Sequence, residues 1–182
     1  MGLGDLLTSE LGVTVVALGT ADIQGELHVV LCQDQVTDTG GFRCLHTIRH
    51  TDGTWEALRN VDAEVAPKGI SFDQLSCANV AGQLHVCGVR DNRTLLHTIR
   101  YPDGHWQNYW GDVLAAVQAP PVEYGYEISV DCAGNDAGEL QVVFLTGFSG
   151  ARLQAFHAIR GADGNWTTAT PFDHFKVLEE NL

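Results

Sequence analysis

The chain has 182 residues, 45% of them hydrophobic, and a formal net charge of −13 from 23 acidic and 10 basic residues. This length suits one domain with a sizeable core, and apolar residues spread evenly along it exclude a disordered chain. The acidity, with no Lys/Arg cluster to offset it, disfavours nucleic acid and anionic membranes as partners, and no apolar run nears the roughly 18 residues of a membrane span.

The N-terminus shows neither a basic region nor a cleavage site, so no signal peptide is expected. Cys32, Cys44, Cys77, Cys87 and Cys132 are odd in number and lack CxxC spacing. They read as reduced core thiols, which points to a cytoplasmic protein.

In chain order, the first predicted strand is the β-branched run 13–18, followed by a turn over 19–25. A second strand covers 27–32, a polar loop 33–41, and a third strand 42–49. Asp52-Gly53 reads as a type I′ hairpin turn, and Trp55 opens a fourth strand to about 61. The pattern then recurs. Strands are predicted near 72–78, 84–89, 95–100 and 106–109, and again near 127–133, 140–145, 153–160 and 166–169. No segment has a helical period.

The recurrence is also literal. LHTIRHTDGTW (45–55), LHTIRYPDGHW (96–106) and FHAIRGADGNW (156–166) each follow a second shared phrase, GELHV, GQLHV or GELQV. One supersecondary unit is therefore used three times. Blades are expected at about 5–61, 62–111 and 112–172 of one domain spanning 1–182, with a C-terminal connector over 173–182.

Three units of four antiparallel strands fit a β-propeller, a β-trefoil or a β-prism. The equivalent histidines His46, His97 and His157 lie 51 and 60 residues apart, a spacing that favours propeller blades over a trefoil. The phrase GELHVV, then LHTIR, DG and Trp resembles the tandem repeats of bacterial, actinomycete-type propeller proteins. More loosely it is similar to tectonin/tachylectin-like and fucose-binding propeller lectins. The resemblance implies four-stranded blades, usually six or seven in a ring. Three blades cannot close a ring, so the expectation is an all-β propeller closing as a six-bladed homodimer.

The repeated polar set is His46, Arg49 and Trp55, then His97, Arg100 and Trp106, then His157, Arg160 and Trp166. These would form equivalent ligand sites between blades, an indole stacking on a sugar ring while Arg or His donates to its hydroxyls. The same residues also read as a hairpin staple, Asp capping the turn and Trp packing between blades. The expected function is lectin-like, with a carbohydrate or other small molecule as ligand. The alternative is an enzyme of cyclase or isomerase type acting in the central channel. There Asp131 and Glu127, which alternate with Ile128, Val130 and Cys132, would supply a general base. No HxH, HExxH, GxSxG, Walker or Rossmann pattern occurs, so neither a metal nor a cofactor is expected. The aromatics Tyr109, Trp110, Tyr124 and Tyr126 sit on connectors and are expected to pack a subunit interface.

Overall fold

The computed structural model describes residues 14–35, 41–122, 127–147 and 153–172. Its elements are β1 (Thr14–Ile23), β2 (Glu26–Gln35), β3 (Gly41–Arg49), β4 (Arg59–Asn60), a 3₁₀ turn (Val61–Ala63), β5 (Gln74–Val80), β6 (Gln83–Arg90), β7 (Thr94–Arg100), β8 (Gly111–Asp112), α1 (Val113–Ala116), β9 (Glu127–Gly134), β10 (Leu140–Gly147), β11 (Gln154–Arg160) and β12 (Thr170–Pro171).

They form three separate four-stranded antiparallel meanders, ordered β1-β2-β3-β4, β5-β6-β7-β8 and β9-β10-β11-β12. First strand packs beside first strand, β1 on β5 and β5 on β9. Independent meanders packed face to face through their first strands are propeller blades. The separate sheets depart from the trefoil, and their stacking in a row, first on second and second on third, departs from the prism. Two apolar clusters fill the gaps between blades. Val30, Cys32, Phe72, Leu75 and Trp106 belong to the first, Cys87, Val89, Val142, Phe144 and Phe156 to the second. All five cysteines are free, and three of them are buried.

Five local readings differ from the sequence prediction. The turn expected over 19–25 shrinks to Gln24-Gly25, both at positive φ (57° and 84°), because β1 runs on to Ile23. Gly19 belongs inside that strand. A Cβ there would lie 2.8 Å from Cys77 Sγ on the next blade, so glycine permits the close approach. The type I′ geometry belongs to this turn and to Ala81-Gly82, not to the Asp-Gly hairpins. At Asp52-Gly53 only glycine has positive φ, and Gly53 N–H donates to His50 O at 2.9 Å, a three-residue loop ending in a glycine bulge.

The fourth strands start later than Trp55, Trp106 and Trp166, which make only single bridges to Arg49, Arg100 and Arg160. Buried side-chain hydroxyls explain the delay in two blades. Thr47 Oγ1 donates to Glu56 O at 2.7 Å, and Thr98 Oγ1 to Tyr109 O at 3.2 Å. Side-chain bonds of this kind compete with ladder pairing. In the third blade, Thr167 Oγ1 instead accepts from Ile159 N–H at 2.9 Å. The unpredicted α1 is one turn, capped by the Asp112 carboxylate accepting from Ala115 N–H at 3.0 Å. Trp110 lies in the core against Phe72 (centroids 4.7 Å apart), not at a subunit surface, whereas Tyr109 is exposed. Tyr124 and Tyr126, and the connector at 173–182, fall outside the described residues.

Candidate functional site between blades

Alternation along a strand sends neighbouring residues to opposite faces, and this splits the repeated motif between two seams. In blade 1, His28 on β2 and His46 on β3 face blade 2, where His28 Nδ1 lies 3.1 Å from His46 Nε2. Trp106 of blade 2 presents its ring edge-on to His46, with centroids 5.6 Å apart at 83°. The next seam repeats this arrangement. His85 Nδ1 lies 3.1 Å from His97 Nε2, and Trp166 meets His97 at 5.5 Å and 89°. Each clamp thus takes its histidines from one blade and its indole from the next.

One imidazole N–H donates to the other ring's lone pair, so at least one ring of each pair must be neutral. Burial enforces neutrality. It pulls His46 and His85 down to about 3, with Arg100 and Arg160 respectively adding to the effect, and holds His97 well below its ordinary value. His28 shifts the same way, first from burial and then from Arg100.

Arg100 and Arg160 reach back from the later blade into the same seams. Each guanidinium lies over the glycine of its own hairpin, where a Cβ on Gly104 or Gly164 would approach Nη2 to 3.3 or 3.2 Å. Arg49 has the same relation to Gly53, at 3.5 Å. The Arg-x-x-Asp-Gly spacing therefore sets the guanidinium as well as the turn. Arg100 is half-buried, and burial lowers its pKa while Glu56 partly opposes that shift. Among the described residues, neither Arg100 nor Arg160 has an ion pair, and no side-chain hydrogen bond from either guanidinium is found.

Cavities open beside both guanidinium groups. One of about 210 Å³ is lined by Gln24, Glu26, His28, Arg100 and Tyr101, among others. One of about 620 Å³, at the next seam, includes Asn79, Gln83, His85, Asn135, Asp136 and Arg160 in its lining. A third, about 270 Å³, lies where Arg160 and Trp166 meet Tyr109, Gln107 and Asp112.

The sequence-derived residues therefore fall into three groups. His46 with Trp106 and Arg100, and His97 with Trp166 and Arg160, meet at the two seams. His46, His97 and Trp106 are buried there, with exposures of 1%, 3% and 8%, while the two arginines and the half-buried Trp166 line the cavities. His157 meets Gln141 instead, with Nε2 2.7 Å from Oε1, while Arg49 and Trp55 lie on the opposite end of the blade row. Sequence reasoning left out His28 and His85 as site residues, although both sit in the shared GxLHV phrase. It also missed Glu26 and Tyr101, which sit inside the repeated phrases, and Asn135 and Asp136, which belong to a turn longer than its counterparts and carry no repeated signal.

Asp131 is exposed on β9, where its Oδ1 accepts from Ser76 Oγ at 2.8 Å and from Cys132 N–H at 2.9 Å. It thus ties the first strands of blades 2 and 3 together. Glu127 is exposed at the start of β9. Among the described residues, no group of three or more His, Cys, Asp or Glu side chains could hold a metal ion, and no helix is long and apolar enough to cross a membrane.

No protein-family model and no curated protein matches the chain. Solved structures do. Morganella morganii TcdA4 matches over 92% of this chain and 8% of its own, at 13% identity and a TM-score of 0.56. The fucose-specific lectin of Aleuria aurantia matches over 88% of this chain at 13% identity and a TM-score of 0.47. A second structure of that lectin, described as a six-bladed β-propeller, matches at 14% identity and 0.45. The chain spans 49% of each lectin chain. At these identities the likeness concerns the fold alone; the three stacked four-stranded meanders themselves define the class, a β-propeller built of four-stranded blades.

Proposed function

We propose that this chain is a lectin-like binding module whose seams between blades take carbohydrate or another polyhydroxylated small molecule, and that it works as a homodimeric, six-bladed ring. The observation that carries the reading is the pair of unpaired guanidinium groups, Arg100 and Arg160, beside polar cavities in an acidic chain. A guanidinium fork, amides and a carboxylate around one cavity can donate to and accept from adjacent hydroxyls. Tyr101 adds an aromatic wall to the smaller cavity. Trp106 is buried and Trp166 half-buried, each against an imidazole of the preceding blade, so this reading gives polar recognition to Arg100 and Arg160 and clamping to Trp106 and Trp166. Free, buried thiols suit a reducing compartment, so we place the protein in the cytoplasm.

Native mass spectrometry with L-fucose, D-mannose and N-acetylglucosamine tests the reading. Several sugars bound per assembly, with Arg100→Ala and Arg160→Ala each removing part of the uptake, is the expected outcome. A single ligand per assembly, lost on Asp131→Asn instead, would move the site to the channel and favour the enzyme alternative.

A further inference from the structure

We infer that the two ends of the blade row are complementary halves of one seam, and that a second copy of this chain closes it head to tail. This specifies the ring closure proposed above and rests on it. The internal seams supply the argument, since they show what each position of a blade does when a neighbour is present. Val30, Cys87 and Val143 are equivalent, each paired in register with the repeat histidine His46, His97 or His157. The first two are fully buried, whereas Val143 is 37% exposed. The residue after each fourth strand behaves alike. Val61 and Val113 are 1% exposed and Phe172 is 45% exposed.

The opposite end shows the matching defect. Leu18 of β1 corresponds to Leu75 of β5, and the two are 46% and 9% exposed. Val16, on the same face of β1, is 43% exposed. Among the described residues, no blade covers the following face at one end or the preceding face at the other. Exposed apolar faces of this kind mark interaction surfaces.

The clamp residues are divided in the same sense. Among the described residues Trp55 has no imidazole to meet, and His157 has no indole of the kind that Trp106 and Trp166 supply. Closure would bring Trp55 and Arg49 of one copy onto Gln141 and His157 of the other, completing a site that neither copy holds alone. Here Gln141 Oε1 accepts from His157 Nε2–H, so an amide replaces one imidazole of the pair. Propeller rings hold about four to eight blades. Two copies give a number inside that range and three copies do not.

Sedimentation equilibrium of the whole chain, Leu18→Glu and Val143→Glu, with circular dichroism on each, tests the closure. The unaltered chain is expected at twice its 19.7 kDa mass. Both variants are expected at the single-chain mass with an unchanged β spectrum, because both residues are exposed within the chain. Val16→Glu and Phe172→Glu replace either variant that fails to fold. A single-chain mass for the unaltered protein would overturn the inference. So would dissociation of one variant alone, which would indicate like faces meeting each other. Mass is read without ligand, so absence of sugar binding would sink the lectin reading and leave this result standing.

Discussion

The two internal seams share their outer half and differ in their inner half. Towards the outside, both use an imidazole pair at 3.1 Å capped by an indole edge. Near the axis, equivalent positions of β1 and β5 carry Gly19 and Ser76. Gly19 lets Cys77 and Leu75 of the next blade come close, whereas Ser76 donates to Asp131 across the next seam. The outer clamp is thus a fixed device of the repeat. The inner contact is a local solution, apolar and tight at one seam, hydrogen-bonded at the other.

Acid should break the shared half first, and this is the largest expected effect. Folded His46 and His85 titrate at about 3, against the ordinary 6.5 of an exposed histidine. Below pH 6.5 the unfolded chain therefore binds protons that the folded chain refuses, so stability is present above 6.5 and is lost as pH falls from 6.5 towards 3. Each such histidine contributes a slope of about 1.4 kcal/mol per pH unit. Thermal melts between pH 7 and 4 should show a steep fall in midpoint. His85→Gln, which copies the natural pairing of Gln141 with His157, should flatten that fall. An unchanged slope in the variant would contradict the neutral-pair account. Half-buried His50 has the opposite sign, because donating a hydrogen bond to the Glu26 carboxylate raises its pKa, and its contribution disappears as pH rises through that raised value.

Backbone contact should come next. A Cβ on Gly134 would collide with the carbonyl oxygen of Asn79 on the neighbouring blade. Backbone cannot move aside as a flexible side chain can, so Gly134→Ala should cost about 3 kcal/mol in denaturant unfolding, the upper end of overpacking. A cost under about 1 kcal/mol would mean that blades 2 and 3 are held less tightly than this.

Ser76→Ala is the smallest of the three. It removes the donor to Asp131 and the oxygen that accepts from Cys132 N–H at 3.1 Å. A loss of about 1 kcal/mol is expected, since the site is only partly buried. A double-mutant cycle with Asp131→Asn should show coupling; strictly additive losses would deny the link between the first strands.

These contrasts also explain what the sequence could and could not reveal. The three-fold repeat, the long middle strands and the glycines of the Asp-Gly turns were legible, because each depends on local pattern. The late fourth strands were hidden, since Thr47 and Thr98 divert carbonyls through contacts that no periodicity displays. The division of His46 from Arg49 and Trp55 was hidden too. Alternation and the bulge after Gly53 decide which seam a residue faces, and the motif reads as one unit only in one dimension. The unrepeated cavity residues, such as Asn135 and Asp136, lie on a turn longer than its counterparts and leave no repeated trace.

The most direct test of the central claim is sugar uptake at the seams, measured by titration calorimetry on the unaltered chain and on the Arg100→Ala, Arg160→Ala double variant. Binding by the unaltered chain that falls at least tenfold in the variant, at unchanged melting temperature, is the predicted result. Full binding retained without either guanidinium would contradict it.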